Sequence, residues 1–248
     1  MPLPDSTVPT GSRHQSPPLG VLAVVFTLLF CAGLYPVTYF GGRPSFPLPW
    51  APAPVIVAFF EQRHAAALLC AFLHFGSAIP LGLFAAGAVS RLRFLGVRAA
   101  GVEFALFGGF ATAILLMASS TVLWTLAYPG ITQDATLTAA LHFFNFALGG
   151  PGYSVPLGLF MAGISIPAFF RRLTPRWIPI LGLVLAACGE LSWLSIEFRP
   201  AIILIPLTRF PGFIWMIAIG FALPTRAPRG TAADALPSAT PNPGTLKA

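Results

Sequence analysis

An all-helical, polytopic membrane bundle with about six transmembrane helices is what this chain predicts. Three features carry that expectation. Apolar residues make up 56% of the 248 residues and charged residues only 8%. An ordinary globular protein has roughly 25% charged residues. Several apolar runs reach about 18 residues or more with few charges, the length that crosses a hydrocarbon core. The basic residues cluster between those runs or after the last one: Arg91, Arg93, Arg98, then Arg171, Arg172, Arg176, then Arg226, Arg229. That is the pattern of positively charged cytoplasmic loops, not of a phosphate-binding groove, so the net charge of +7 predicts no nucleic-acid partner.

The elements follow along the chain. Residues 1–18 are rich in Pro, Ser and Thr and predict a disordered tail. A single six-helix domain is expected over 19–224, and a second disordered tail over 225–248. The first span runs from about 19 to 40 and stays as a helix: it has no A-x-A cleavage site, and Phe30 stands before Cys31 where a lipoprotein signal needs a small residue. "GRPSFPLPWAPAP" at 42–54 is too proline-rich for regular helix. The second span ends near Arg91, the third covers 99–127, and the fourth ends near Arg171. The fifth covers 177–196 and the sixth 200–223.

Six crossings put both termini on one side. With the termini inside, ten basic residues fall on the cytoplasmic face and three (Arg43, Arg63, Arg199) outside, which predicts cytoplasmic N- and C-termini. Thirteen arginines to one lysine, with abundant Ala, Gly and Pro, point to a high-GC bacterial genome. Cys31, Cys70 and Cys188 all sit in apolar runs without a CxxC pair, so neither a disulfide framework nor a metal site is expected from them.

"GSAIPLGLFAAG" at 76–87 returns as "GYSVPLGLFMAG" at 152–163, with eight of twelve residues identical. Spans two and four cross in the same sense, so the chain predicts a parallel internal repeat of spans 2–3 and 4–5. Small residues recur every fourth position: Ala78, Gly82, Ala86 in the first copy, Ser154, Gly158, Ala162 in the second, and Ala105, Gly109, Ala113 in the span between. Such rows let helix backbones approach closely in lipid. Pro80 and Pro156 each remove a helical N–H and are expected to interrupt their spans. The run 135–171 would be ~55 Å long as one helix, too long for a ~30 Å core. A break is therefore expected at Gly149–Gly152, around Pro151, with 136–148 as a separate helix. The second span is also too long, and a bend is expected near His74–Gly76.

Few ionisable residues lie inside the spans, and each is a functional hypothesis by default. His74, Glu190 and Arg209 fall at similar depth when counted up from the inner arginines at 1.5 Å per residue. Glu190 and Arg209 lie on consecutive spans and are expected to form a buried ion pair. With His74, and with His142 and Asn145 on the segment before the break, they form the expected polar cluster. Glu103 sits near Arg98 at a helix start, where the dipole favours it. His74 and His142 are the one pair that haem b ligation would use; no cofactor is otherwise expected. No nucleophile motif, phosphate loop or paired carboxylates point to catalysis.

The segments "IPLGLF", "GGPGYSVPLGLFMAGISI", "RRLTPRWIPILGLVLA" and "RFPGFIWMIAIGFALP" resemble those of a bacterial family of uncharacterised six-helix membrane proteins of the domain-of-unknown-function type. The resemblance covers most of 20–224. It implies the fold and the inner membrane, and no activity. Two readings stay open. One is a protein that binds or transports a small molecule through an outer-leaflet polar pocket. The other is a non-catalytic scaffold or regulatory partner in which the same features only pack helices. A redox protein holding haem or quinone is a third. A homo-oligomer or a membrane-protein partner is compatible with each.

Overall fold

The computed structural model describes residues 14–226, and the described chain is helical with no strand element. Most of the two expected tails lies outside those residues. Six stretches are long and apolar enough to cross a membrane: Leu19–Val37, Ala53–Phe94, Ala100–Leu126, Ala135–Phe170, Trp177–Ile196 and Arg199–Ala222. The protein is a multi-pass membrane protein. Large apolar side chains such as Phe107, Ile114, Phe170 and Ile214 remain exposed on the outside of the bundle, where lipid would cover them.

The first helix, α1, covers Leu19–Leu34 and ends earlier than the expected residue 40. Two short 3-10 turns follow, Tyr35–Val37 and Tyr39–Gly41. Pro36 opens the first turn, and a proline has no N–H to give to the preceding turn. The second helix, α2, covers Ala53–Phe94. It does not bend near His74–Gly76; its one non-helical residue is Arg63, at φ −125° and ψ 23°. The cause lies outside the helix. The Arg63 guanidinium donates to the carbonyls of Pro36 at 2.5 Å and Gly41 at 2.9 Å, so the loop after α1 holds this point of α2.

The third helix, α3 (Ala100–Leu126), lies between α2 and the fifth helix. Glycines set its approach to both. A Cβ on Gly109 would run into Ala85 of α2, and one on Gly108 would lie 2.6 Å from the Pro156 carbonyl oxygen. The fourth crossing is two helices. Here α4 covers Ala135–Gly149 and α5 covers Pro151–Phe170, with Gly150 between them at φ −91° and ψ −102°. Asp134 caps α4, accepting from the amides of Thr136 at 2.9 Å and Leu137 at 3.0 Å.

Pro80 and Pro156 do not interrupt their helices: α2 and α5 run on through them. Four residues before each stands a glycine, Gly76 and Gly152. A glycine carries no side chain in the turn that the pyrrolidine ring crowds, and the dihedrals stay helical through both prolines. The small-residue rows are also partly re-registered. Gly158 and Gly189 meet backbone to backbone, but in α2 it is Ala85 that stands against Gly109, while Gly82 has no close neighbour.

The sixth and seventh helices, α6 (Trp177–Leu191) and α7 (Leu204–Ala222), are neighbours joined by two 3-10 segments. The ends of the described chain meet. The His14 amide donates to Thr225 O at 2.9 Å, while Arg91 donates to Leu223 O at 3.3 Å and Ser16 Oγ at 2.9 Å. The two ends of the described chain thus lie together at one end of the bundle. Burial forms two apolar clusters. The larger, with Phe26, Phe84, Phe160 and Trp215, fills the middle. The smaller, with Phe59, Phe60, Ala71 and Leu126, sits at the end away from the termini.

Candidate binding site

Between the two clusters lies a cavity of about 420 Å³, beside the interruption of the fourth crossing. Its apolar walls come from both clusters, Phe30 and Leu116 from one and Val37, Cys70 and Leu123 from the other. The loop after α1 closes one side with Thr38, Tyr39 and Phe46. The polar lining comes from His74 on α2, Ser119 and Ser120 on α3, Asn145 on α4 and Arg209 on α7.

Arg209 is organised by the helix break. Its Nη2 donates to the carbonyl of Gly149, the last residue of α4. A helix end presents carbonyls without intrahelical partners and a partial negative charge, so a guanidinium there is favoured twice. Two aromatic faces add to this: Arg209 Cζ lies 4.7 Å from the Tyr153 ring centre and 5.4 Å from that of Phe30. The magnitudes are commensurate. Inserting an arginine at a helix centre costs about 2.5–3.5 kcal/mol. A hydrogen bond from a charged donor contributes about 1.5–3 kcal/mol and a cation–π contact about 0.5–2 kcal/mol.

The expected Glu190–Arg209 ion pair is not formed. Among the described residues one ion pair exists, the exposed Arg93–Glu103 pair at 2.7 Å; Arg98 lines the same surface hollow as Glu103, which stands in the first turn of α3 as expected. Equal depth fixes the height of two groups on adjacent helices, not the faces they occupy. Glu190 lies against α5, where a Cβ on Gly158 would be 3.0 Å from its amide nitrogen, and its buried Oε1 has no partner. Arg209 turns to α4 instead.

His74 stacks on Phe30, with ring centres 4.1 Å apart, and its Nε2 lies 3.1 Å from the Phe30 carbonyl oxygen. A carbonyl only accepts, so Nε2 carries the proton and Nδ1, 3.7 Å from Cys70 Sγ, is the bare nitrogen. His142 is buried outside the cavity, packed on Phe46 and Phe60, with Nε2 3.3 Å from Leu48 O. Each histidine turns Nε2 to a backbone carbonyl, and the two rings stand apart in the fold, His74 in the cavity lining and His142 outside it. Among the described residues no cluster of three His, Cys, Asp or Glu is placed to hold a metal ion.

Of the five expected cluster residues, His74, Asn145 and Arg209 line this cavity, and Glu190 and His142 do not. Sequence reasoning missed Ser119, whose Oγ donates to Asn145 Oδ1 at 2.8 Å, and Tyr153, the aromatic face under Arg209. Tyr153 stood inside the second copy of the repeated phrase, where the first copy has Ser77, and that difference was the available signal. No family model, curated protein or solved structure matches the chain.

Proposed function

We propose that this chain is a bacterial inner-membrane protein, with both termini in the cytoplasm, that binds or carries a small molecule in the cavity lined by His74, Asn145 and Arg209. The observation behind the reading is the cavity itself. A packed scaffold would fill the space beside a helix break with side chains, since close packing is the rule in protein interiors. Here about 420 Å³ stays open next to a half-buried cation. Mostly apolar walls with a few convergent polar groups, within the range of roughly 300–1,000 Å³, are what small-molecule sites share. The interrupted fourth crossing adds support, because broken helices frame the substrate sites of many transporters. The cytoplasmic placement of the termini and the inner membrane rest on the arginine asymmetry and on the family resemblance.

The scaffold reading has one observation in its favour: Arg209 is held by Gly149 O and two aromatic rings, as a structural clasp would be. The two readings part in a thermal-shift screen of small organic compounds on the purified protein in detergent. Binding predicts compounds that raise the melting temperature of the wild type and not of Leu116→Phe, which fills the cavity from an apolar wall. No such compound, or equal shifts in both proteins, would leave the scaffold.

A further inference from the structure

We infer that the ligand of this cavity is a small organic monoanion, an apolar body ending in a carboxylate or a like acidic group, with Arg209 as its receptor. The inference rests on the small-molecule reading and goes beyond it in naming the chemistry.

The cavity has a cation and no counter-ion. Its lining contains no Asp or Glu, and among the described residues no carboxylate lies within ion-pair distance of Arg209. Among those residues, Nη2 makes the one side-chain hydrogen bond of this guanidinium, and its buried Nε has no partner. Arginine carries five donor hydrogens in a planar fork suited to two carboxylate oxygens. Aromatic faces and one carbonyl stabilise the charge without neutralising it.

The other polar groups add donors. Asn145, 7% exposed, takes the Ser119 hydrogen bond on Oδ1, which leaves its amide N–H groups without a protein acceptor among the described residues. Ser120 gives its hydrogen to Leu116 O and His74 its Nε2 hydrogen to Phe30 O, so neither competes for an anion as a charged partner would. A site that presents a half-buried cation and an unused amide donor, and no acidic acceptor, selects a ligand rich in acceptors and negative charge.

Size narrows the class. At about 30 Å³ per water in the liquid, 420 Å³ equals on the order of 14 water volumes. That accommodates a short-chain or aromatic acid and not a two-tailed phospholipid. The walls of Phe30, Leu116, Leu123 and Ile205 would cover its apolar body.

The test compares isosteres in phosphatidylcholine nanodiscs: benzoate and hexanoate, benzamide and hexanamide, benzylamine and hexylamine. Dissociation constants are measured for the wild type, Arg209→Gln, Arg209→Lys and Leu116→Phe. The inference predicts that at least one acid binds about tenfold or more tightly than its amide, and that its amine does not bind. Arg209→Gln removes the preference while Arg209→Lys keeps part of it, which separates lost charge from lost fold. Leu116→Phe weakens every ligand. Amides that bind as well as acids, and are lost in Leu116→Phe, would overturn the anion and leave the small-molecule reading standing. No binding by any compound would overturn the anion, and the screen described for the function then decides the wider reading on its own. A fourth arm repeats the acids in phosphatidylglycerol nanodiscs. Unchanged affinity supports a free acid, and competition by the lipid would assign the anion to a headgroup and overturn the free acid.

Discussion

Arg209 of α7 donates to the carbonyl of Gly149, the residue at which α4 stops. Two departures from an ordinary membrane-spanning sequence thus answer each other. The break exposes carbonyls in an apolar interior, and the half-buried arginine supplies a donor. Each alone would be costly in hydrocarbon.

The aromatic ring under the guanidinium belongs to the same arrangement. Tyr153 is buried, and its hydroxyl has no hydrogen-bond partner. The ring, not the hydroxyl, therefore supports Arg209. Tyr153→Phe should leave the melting temperature unchanged or slightly higher. Tyr153→Leu should lower stability by about 1–3 kcal/mol through lost cation–π contact and volume. Thermal unfolding in detergent reads both. Equal losses in the two variants would mean that the hydroxyl is the working part.

The duplicated phrase makes a second prediction, because the same position carries different constraints in its two copies. A Cβ on Gly82 would meet nothing nearer than Ala113 Cβ at 3.9 Å. A Cβ on Gly158 would lie 2.8 Å from Ala186 O and 3.0 Å from Glu190 N. Gly82→Ala should be neutral or stabilising by up to about 1 kcal/mol, since alanine is the better helix former. Gly158→Ala should destabilise, because backbone on α6 cannot move aside as a side chain could. A melting-temperature comparison of the two variants decides it.

These contrasts mark what could be read from the sequence. Hydropathy and arginine clustering are local signals, and they mark the crossings. The Gly-Gly-Pro-Gly run is also local, and helical dihedrals stop within it, at Gly150. Counting depth brought His74 and Arg209 into one neighbourhood, and the segment before the break added Asn145. It could not supply rotation about the helix axis, so Glu190 was paired with an arginine that faces elsewhere. The bend in α2 was illegible for another reason. It sits at Arg63 because carbonyls of Pro36 and Gly41, far away in sequence, hold that side chain.

The contact that joins the two ends of the described chain should respond to acid. His14 Nε2 lies 3.0 Å from Ser90 Oγ, and its ring packs on Phe94. Burial, and then the charge of Arg91, hold the imidazole below its ordinary value. The unfolded chain thus takes up the proton more readily than the folded one. The neutral histidine's contribution is complete above the ordinary imidazole pKa and is lost as the pH falls through the lowered folded value. The melting temperature of the wild type should fall more between pH 7.5 and pH 5 than that of His14→Gln. Parallel curves for the two proteins would show that His14 does not couple to folding.

The pairing of the break with the arginine is tested most directly by a double-mutant cycle in thermal unfolding. One arm joins α4 to α5 through Gly150→Ala with Pro151→Ala, and the other is Arg209→Met. With the helix continuous, the Gly149 carbonyl regains a backbone donor, so Arg209→Met should cost less than in the wild type. The expected coupling is about 1–3 kcal/mol, whereas a cycle between Arg209→Met and Glu190→Gln should be additive. Additivity at the break, or coupling to Glu190, would contradict the account.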